Sequence, residues 1–564
     1  MLQQLLILIY LKIYYFITNK NIVSLYKIHD FRMKRLLIFL MILSISQLFF
    51  QNCAKRGRPT GGAKDTIPPI VLKMIPENKS IDFNTNKIKL KFDEYVLFKD
   101  LANQLVVSPP LKSLPLITPT GASKEFVLTV NDTLNTNSTY TFDFGNSITD
   151  NNEGNKLERF KYVFSTGKYL DSLKLKGTVS DAFERKTDKN ISVLLYAVTE
   201  TFNDSVIYRK KPNYIASTLD STVFLLENIK GGKYLMIALK EKNGNFIFNP
   251  KTDKIGFVPH LITLPTDSSY HISLYKEFPA FKSNQPTEFK KGKLIFGFEG
   301  NREHIKVNLL TKTPADFKFH TSFDKKKDTM YYWHSPIKSD SLNFEVVNQD
   351  YKKAYSVKIG TAKKDTLKIG SIGSGMLNLR DQFKLTSNIP IDKIEISNIK
   401  LVEKDTIKTS FKATIADNKE EVIFDFEKKQ FTSYKLKILP KSIIDILGNS
   451  NKDTLNYQFI TSQVENYGNL TINLNNTKPN TIVELLTENG QTVEIVHLNN
   501  SKIVEFKLLT PAKYIIRFIE DKNNNKKWDT GNYLQKIQPE NIIYYPNVIE
   551  VRANWDIVES FSLK

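Results

Sequence analysis

One loop near the end of the chain has the spacing of a calcium-binding loop. Oxygen-bearing side chains occupy positions one, three, five and nine of that loop: Asp521, Asn523, Asn525 and Asp529. A backbone carbonyl at position seven would complete much of the oxygen shell that Ca²⁺ prefers. The alternative is an Asx-turn hairpin, since Asn524 replaces the usual glycine, Asn532 replaces the bidentate glutamate, and three lysines lie inside the loop. The spacing predicts weak Ca²⁺ binding as the cofactor chemistry of this segment.

A related loop occurs earlier in the chain. Its equivalent side chains include a single carboxylate: Glu241, Asn243, Asn245 and Asn249. Calcium sites draw most of their affinity from charged ligands, so this copy is predicted to be vacant.

The single cysteine, Cys53, ends a segment with the order of parts of a secretory signal. Met33-Lys34-Arg35 gives a positive start, Leu36 to Phe50 an apolar run, and Gln51-Asn52 a polar approach to the cysteine. The arrangement resembles a bacterial lipoprotein signal, which implies that Cys53 is lipidated and becomes the mature N-terminus. A transmembrane anchor is the alternative, but the apolar run is short for a spanning helix. Residues 1–32 are interpreted as an upstream extension.

A tripeptide of Asp, then Ser or Thr, then a small or aliphatic residue or Thr recurs through the chain. Its hydroxyl residues are Thr66, Thr133, Ser172, Ser205, Ser221, Thr329, Ser341, Thr366, Thr406 and Thr454. The pattern resembles the O-glycosylation acceptor of exported Bacteroidota proteins, which implies glycans on exposed loops. The alternative is a turn residue followed by the start of a strand, and both can hold at one hydroxyl.

Motifs of common enzymes do not occur in this sequence. It contains no Gly-x-Ser-x-Gly, no His-Glu-x-x-His and no P-loop, and a single cysteine cannot build a metal cluster. Six histidines are isolated in strand-like contexts: His260, His271, His304, His320, His334 and His497. Gly370 to Gly375 is glycine-rich, but no helix pattern follows it, so it is interpreted as a turn. A non-enzymatic protein is therefore expected, with no catalytic residues.

The charge is strongly basic but evenly dispersed. Removing residues 1–52, which hold six Lys or Arg residues and one Asp, lowers the net charge from +21 to +16. Most of the positive charge is lysine that alternates with apolar residues, as in Lys87-Ile-Lys-Leu-Lys91. Lysines on the outward face of strands favour solubility rather than nucleic-acid binding. Anionic lipid, an envelope glycan or another envelope protein stays open as a partner.

Apolar residues alternate with polar ones throughout the chain after Cys53. Examples are Ile88-Lys-Leu-Lys-Phe92, Phe126-Val-Leu-Thr-Val130 and Val422-Ile-Phe-Asp-Phe426. Period-two runs bounded by Asn, Asp, Gly and Pro predict short strands, and no convincing amphipathic helix of three turns follows Cys53. The fold class predicted is all-β, a series of tandem β-sandwich domains.

Two internal repeats define the predicted domains. Lys233-Tyr234 to Asn245 aligns with Lys513-Tyr514 to Asn525 at an offset of 280, and Ser147-Ile-Thr-Asp150 aligns with Ser442-Ile-Ile-Asp445 at an offset of 295. The chain is therefore divided into residues 1–32 (extension), 33–52 (signal), 53–69 (spacer), and sandwiches at 70–167, 168–275, 276–365, 366–463 and 464–564.

Family resemblances sharpen these assignments. Cys53 to Pro69, running into Pro76-Glu-Asn78 and Phe92-Asp-Glu-Tyr-Val96, resembles Bacteroidota lipoproteins with a bacterial Ig-like domain of the SbsA S-layer type. Residues 375–463 resemble a diverged copy. Leu175-Lys-Gly-Thr-Val179 and Gly232-Lys-Tyr234 resemble the transthyretin-like or carboxypeptidase-regulatory-like sandwich, with a weaker copy at 468–564. Neither resemblance implies catalysis.

The function expected from these features is a lipid-anchored, non-enzymatic scaffold or binding protein of the cell envelope, made of Ig-like domains. Its expected place is the outer membrane. The periplasmic face is favoured because Lys55, Arg56 and Arg58 follow the cysteine, where surface-exported lipoproteins of the resembling group carry acidic residues. The alternative is a carbohydrate- or peptidoglycan-directed enzyme or binding subunit with an inter-domain site. Tyr331-Tyr332-Trp333 would be one place to look, although a strand core also explains them.

Overall fold

The computed structural model describes residues 64–324, 326–499 and 501–563, and this part of the chain is almost entirely β-structure. The one α-helix described is α1 (Leu101–Gln104), and three short 3-10 helices cover Asp204–Tyr208, Ile396–Asn398 and Val464–Asn466. No helix among the described residues is long and apolar enough to span a membrane. The predicted all-β class and tandem β-sandwich architecture are confirmed.

The first sandwich has a larger and a smaller sheet. Its strands are β1 (Val71–Ile75), β2 (Lys87–Phe98), β3 (Val106–Ser108), β4 (Leu116–Thr118), β5 (Ser123–Thr129), β6 (Thr139–Asp143), β7 (Ile148–Asp150) and β8 (Lys161–Ser165). One sheet runs β1-β2-β5-β4 with β7 beside β2, and the other runs β3-β6-β8. On β2 the apolar Ile88, Leu90 and Phe92 are buried while the alternating lysines face solvent, as the period-two pattern requires.

The second sandwich contains one parallel strand pair. Its strands are β9 (Leu173–Asp181), β10 (Ser192–Ala197), β11 (Tyr214–Ser217), β12 (Val223–Ile229), β13 (Gly232–Lys240), β14 (Lys254–Phe257), β15 (Ile262–Leu264) and β16 (Ser269–Leu274). One sheet runs β11-β10-β13-β14 with β15 beside β13, and the other runs β12-β9-β16. Strands β9 and β16 pair in parallel, whereas the other pairs are antiparallel.

The third sandwich has a five-stranded and a three-stranded sheet. Its strands are β17 (Lys282–Ser283), β18 (Thr287–Lys290), β19 (Lys293–Glu299), β20 (Lys306–Leu309), β21 (Phe319–Phe323), β22 (Thr329–His334), β23 (Ser341–Asn348) and β24 (Tyr351–Lys358). The sheets run β17-β19-β22-β21, with β18 beside β19, and β20-β23-β24. Tyr332 and Trp333 are buried, so β22 supplies core side chains and not an exposed aromatic surface.

The fourth sandwich has two main sheets and a separate two-stranded pair. Its strands are β25 (Ile369–Ile372), β26 (Gly375–Leu377), β27 (Phe383–Ser387), β28 (Ile391–Ile394), β29 (Ile399–Glu403), β30 (Ile407–Lys408), β31 (Lys412–Ile415), β32 (Glu421–Asp425), β33 (Ser433–Ile438), β34 (Ile443–Asp445) and β35 (Leu455–Thr461). The sheets run β25-β27-β32-β31, β26-β35-β33-β29-β30 and β28-β34.

The fifth sandwich repeats the topology of the second. Its strands are β36 (Gly468–Asn475), β37 (Thr481–Thr487), β38 (Thr492–His497), β39 (Ile503–Leu509), β40 (Ala512–Glu520), β41 (Ile542–Tyr544), β42 (Ile549–Val551) and β43 (Asp556–Ser562). The sheets run β38-β37-β40-β41, with β42 beside β40, and β39-β36-β43, with β36 and β43 parallel. Each strand has its counterpart in the second sandwich, and the sequence repeat at offset 280 places β13 on β40.

The first and fourth sandwiches share core contacts as well. Tyr140 stacks on Phe164 with ring centroids 5.5 Å apart, and Tyr434 stacks on Phe459 at 5.6 Å. In both, the tyrosine hydroxyl accepts a backbone N–H from five residues earlier, at 2.8 Å and 2.9 Å. The sheets of the five sandwiches lie within residues 71–165, 173–274, 282–358, 369–461 and 468–562, and the boundaries predicted near Lys168, Lys276, Asp365 and Gln463 fall in the connections.

Candidate functional site

The fifth sandwich inserts a loop into the second, although the two are far apart in sequence. This loop joins β40 to β41, and we name its residues 528–538 the docking loop. Tyr533 of the docking loop is fully buried, in a cluster whose other buried members all belong to the second sandwich. Its ring meets Phe257 edge-on, with centroids 5.4 Å apart and planes at 84°. Burying a whole tyrosine ring across a domain contact makes that contact a strong one.

Strands β10 and β13 of the second sandwich are buried on both faces. Val193 to Tyr196 on β10 and Tyr234 to Leu239 on β13 are buried at consecutive positions, so both faces of these strands are covered. Continuous apolar runs are typical of strands buried on two sides, whereas alternation is typical of strands with one wet face. The docking loop covers part of the outer face of these strands.

Hydrogen bonds fix the position of the docking loop. The backbone N–H of Tyr533 donates to the Glu277 carboxylate, and the Tyr533 hydroxyl donates to the Asp204 carbonyl at 3.1 Å. Thr530 Oγ1 donates to the Lys276 carbonyl at 2.7 Å. Gln538 Nε2 donates to the Phe257 carbonyl at 3.0 Å. These bonds pair polar groups that the contact would otherwise strip of water.

A glycine is required in the docking loop. A Cβ on Gly531 would lie 2.6 Å from the Tyr275 ring and 2.8 Å from the Ile537 carbonyl, so any larger residue would push the loop away from the second sandwich.

The second sandwich also contacts the fifth through Phe183, which lies between β9 and β10. The Phe183 ring lies 4.8 Å from that of Trp528, and the Arg517 guanidinium lies 4.3 Å above it. The Tyr544 hydroxyl donates to the Phe183 carbonyl at 2.7 Å, and Arg185 donates to the Pro546 carbonyl. Each of the two sandwiches thus places a loop on the other.

The four predicted calcium ligands lie together at the start of the connection from β40 to β41, where they contact each other and the backbone. Asp521 is buried and accepts backbone N–H groups of Asn525 at 3.1 Å and Lys526 at 2.8 Å. Asp529 Oδ2 accepts from the amide nitrogens of Asn523 and Asn525, both at 2.6 Å. Both amide oxygens accept backbone N–H groups two residues on, as in Asx turns. The oxygens suit Ca²⁺ chemically, and calcium stays a prediction.

Glu540 also holds this loop in place, although the spacing of a calcium-binding loop does not include it. Its carboxylate accepts the backbone N–H of Lys522 at 2.7 Å and of Asp529 at 3.0 Å. Burial raises the pKa of Glu540, and the nearby Asp529 and Asp521 raise it further. A glutamate nineteen positions after Asp521 lies outside any loop motif, so its role follows from the fold alone.

The equivalent loop of the second sandwich closes in the same way. The Glu241 carboxylate accepts backbone N–H groups of Asn245 and Phe246, each at 2.9 Å. Glu241 and Asp521 are 280 positions apart, and so are their partners. Burial raises the pKa of Glu241. An acid that holds the backbone four and five residues ahead is therefore the element shared by both loops.

A large cleft opens where the second, third and fifth sandwiches meet. Its volume is about 1240 Å³. Its lining includes Tyr208, Glu277, Phe278, Asn301, Arg302, Glu303, Asp324, Lys326, Lys327, Asp328, Gln349, Asn523, Lys527, Trp528, Asp529, Asn532, Leu534, Gln535 and Ile537. The docking loop forms one wall, so the cleft depends on the contact between the fifth and second sandwiches.

Some of the charged groups in the cleft are paired or buried. Lys527 Nζ lies 2.5 Å from Glu303 and 3.8 Å from Asp529, and the hydrogen bond from Lys527 lowers the pKa of Glu303. Glu277 is 6% exposed, and burial raises its pKa. Burial, with the charge of Glu277 as a smaller cause, also raises the pKa of Tyr208. The described residues contain no cluster of three or more His, Cys, Asp or Glu side chains that could hold a metal.

None of the other predicted site residues that the structure describes lines this cleft. Cys53 is outside the described residues. Six predicted O-glycosylation hydroxyls are on exposed residues: Thr66, Thr133, Ser172, Ser221, Thr366 and Thr406. Four are on half-buried residues: Ser205, Thr329, Ser341 and Thr454. Thr329 and Ser341 begin strands β22 and β23, as the turn-to-strand alternative expects.

The histidines do not converge. His271 is exposed and lies between the hydroxyls of Thr178 and Ser180, at 2.9 Å and 3.0 Å. His334 is buried, and burial lowers its pKa. These two histidines do not contact each other. His271 is a sheet-surface side chain, and His334 is a core side chain.

Comparison with known proteins supports the class that the fold defines. Residues 65–166, the first sandwich, match the family model of the bacterial Ig-like domain. The resemblance of this segment to bacterial Ig-like domains is confirmed, and the protein is a tandem β-sandwich protein with an Ig-like first domain. A search of curated proteins found no match.

Among solved structures, the chain is similar to the S-layer protein rSbsC(31-844), at 13% identity and a TM-score of 0.16, covering 82% of this chain and 68% of that one. It is also similar to BcpA, the major pilin subunit of Bacillus cereus, at 9% identity and a TM-score of 0.14, covering 69% and 99%.

Proposed function

We propose that the protein is a lipid-anchored, non-enzymatic scaffold of the cell envelope. The observation that carries the proposal is the burial of Tyr533 in the second sandwich, which joins domains that are distant in sequence. Tandem domains linked only end to end would be free to bend at each connection. A contact that joins the fifth domain to the second removes much of that freedom, which suits a structural role.

Contacts between successive sandwiches support the same role. The first and second are joined by the Ile215 N–H, which donates to Ser108 Oγ at 3.0 Å. The third and fourth are joined by Lys318 and Asp392 at 2.6 Å. The fourth and fifth are joined by Arg380 and Glu494, at 2.5 Å. Isolated ion pairs contribute little, but together with apolar burial they fix the orientation of each contact.

The proposed anchor is an acyl chain on Cys53, at the outer membrane and on its periplasmic face. The signal-like residues 33–52 and the basic Lys55, Arg56 and Arg58 support this placement. One diacylated cysteine gives stable anchoring because two chains bury many methylene groups.

Metabolic labelling with an alkyne fatty acid, followed by membrane fractionation, tests the anchor. The wild-type protein should take up label and sediment with outer membranes, whereas Cys53→Ser should do neither. Thr60→Ser, a conservative change in the same spacer, serves as the matched control. A Cys53→Ser protein that is still labelled and membrane-bound would refute the proposal. Protease treatment of intact cells tests the face, and loss of the protein would contradict periplasmic placement.

The second candidate function is a carbohydrate- or peptidoglycan-directed binding subunit or enzyme. The observation that favours it is the cleft between three sandwiches, which is an inter-domain site of the kind this candidate requires. Tyr331-Tyr332-Trp333 is not that site, because Tyr332 and Trp333 are buried in the third sandwich.

A further inference from the structure

The cleft is lined by loops and turns. None of its described lining residues lies in a strand; Tyr208 ends a 3-10 helix, and the rest belong to connections such as Glu277 to Ala280 and Gly300 to Glu303. Extended peptides are commonly captured by adding a strand to a free sheet edge. The described lining offers no such edge, so strand addition is not the way this cleft binds a ligand.

Aromatic side chains provide flat apolar surface in the cleft. Phe278 is 58% exposed at the junction of the second and third sandwiches, which is unusual for a phenylalanine with a core within reach. Trp528 and Tyr208 are half-buried and line the same cleft. Trp528 cannot turn away, because its Nε1 donates to the Glu540 carbonyl at 3.0 Å and its ring packs on Phe183. Fixed, partly exposed rings are surfaces on which a ligand can stack.

Polar groups with spare hydrogen-bonding capacity surround these rings. The carboxylate of Glu277 lines the cleft and is more than nine-tenths buried, and the one described donor to it, the Tyr533 N–H, bonds Oε1. Oε2 therefore has no hydrogen-bond partner among the described residues, and it can accept a hydrogen bond from a ligand. The side-chain amides of Gln349 and Gln535, both on exposed residues, add donors and acceptors.

The charge of the lining is nearly balanced. Five acidic residues line the cleft: Glu277, Glu303, Asp324, Asp328 and Asp529. Among the residues that the structure describes, four basic ones line it: Arg302, Lys326, Lys327 and Lys527. A lining of mixed sign gives a strongly charged ligand little net attraction, so it favours a ligand that is polar but close to neutral.

We propose that this cleft binds an oligosaccharide. Sugar rings offer apolar C–H faces for Phe278, Trp528 and Tyr208, and hydroxyl edges for Glu277 and the glutamine amides. An open groove of this size admits several sugar units. The inference deepens the second candidate function and rests on it, and it is independent of the acyl anchor on Cys53.

Calorimetric titration of the mature full-length chain with defined sugars tests the proposal. The probes are an N-acetylglucosamine hexamer, a mannose hexamer, a disaccharide muropeptide, and its stem peptide without sugar. At least one sugar should bind. Phe278→Ala and Gln535→Ala should each weaken that binding roughly tenfold or more. Phe431→Ala and Gln491→Ala, changes of the same type at exposed positions outside the cleft, should leave it unchanged.

Three results would overturn the inference. One is the absence of binding for every sugar at about 5 mM. Another is binding that Phe278→Ala and Gln535→Ala leave unchanged. The third is binding of the stem peptide alone. Circular dichroism of each variant confirms that the sheets are intact. Titration of the Cys53→Ser protein separates the two proposals, because it should bind sugar as the wild type does even though it lacks the anchor.

Discussion

Asp150 and Asp445 lie 295 positions apart and close the same turn in two different sandwiches. Asp150 accepts backbone N–H groups of Glu153, Gly154 and Asn155, at 2.6, 2.9 and 2.7 Å. Asp445 accepts backbone N–H groups of Leu447 and Asn449, at 2.9 and 2.8 Å. Both carboxylates are 1% exposed. The repeat at this offset is thus explained by a structural need, since the buried aspartate side chain accepts the backbone N–H groups of each turn.

Asp150→Asn should destabilise the first sandwich by about 2–3 kcal/mol, because an amide group places its own N–H groups against three backbone donors. Hydrogen exchange of residues 151–156 measures the effect, and these amides should exchange faster in the variant. Asp453→Asn, at an exposed aspartate of the fourth sandwich, is the matched control and should leave exchange unchanged. Equal protection in Asp150→Asn and wild type would show that the turn does not need the charge.

The two aspartates should respond to pH in opposite ways. Burial alone would raise the pKa of Asp150, but its backbone donors lower it below the ordinary 3.8. Its contribution is therefore full above about pH 4 and is lost as the pH falls through the lowered pKa. Burial raises the pKa of Asp445 above 3.8. Ionisation of Asp445 therefore destabilises the fourth sandwich as the pH rises from about 3.8 through this raised pKa. Hydrogen exchange near each turn between about pH 3 and pH 6 should show these opposite trends. Parallel trends would contradict them.

Calcium should stabilise the chain slightly through Asp521, Asn523, Asn525 and Asp529. Lysines in the loop and the missing bidentate glutamate predict a dissociation constant of roughly 10⁻⁴ to 10⁻³ M. At millimolar Ca²⁺ the gain is then on the order of 1 kcal/mol. The full mature chain must be melted with Ca²⁺ and with chelator, because Tyr533 ties this loop to the second sandwich. Equal melting temperatures, or a full Ca²⁺ response in Asp521→Ala/Asp529→Ala, would leave only the Asx-turn explanation.

Glycosylation should follow exposure. A transferase needs access to the hydroxyl, so the exposed Thr66, Thr133, Ser172, Ser221, Thr366 and Thr406 should carry glycan, and the half-buried Ser205, Thr329, Ser341 and Thr454 should not. Intact glycopeptide mass spectrometry of the protein purified from its native host checks both groups. Unmodified hydroxyls at every exposed position would leave the tripeptide as a turn-to-strand signal alone.

The sheets could be predicted from sequence because each strand carries its own signal. Ile88, Leu90 and Phe92 alternate with lysines, and that alternation decides which face is buried. The repeats at offsets 280 and 295 were visible for a similar reason, since Glu241 and Asp521, or Asp150 and Asp445, hold equivalent turns.

The contact between the fifth and second sandwiches could not be read in this way. Tyr533 lies in a loop with no periodicity, and its partner Glu277 lies 256 positions earlier. A partial signal existed, because the unbroken apolar runs of β10 and β13 indicate two covered faces. Such runs say that something covers a sheet, but they do not identify which segment does so. The cleft could not be predicted from sequence for the same reason, since three domains contribute to it.

The central claim is that the fifth sandwich is fixed on the second, and carbodiimide coupling tests it most directly. This reagent joins a lysine to a carboxylate only when the two are in contact. Lys536 Nζ lies 3.0 Å from Asp204 across the docking contact, and Lys318 Nζ lies 2.6 Å from Asp392 between the third and fourth sandwiches. Mass spectrometry of the digested mature chain should find both coupled pairs, and Gly531→Trp should abolish the Lys536–Asp204 product alone. Coupling of Lys318 to Asp392 without any product between Lys536 and Asp204 in the wild-type chain would contradict the account.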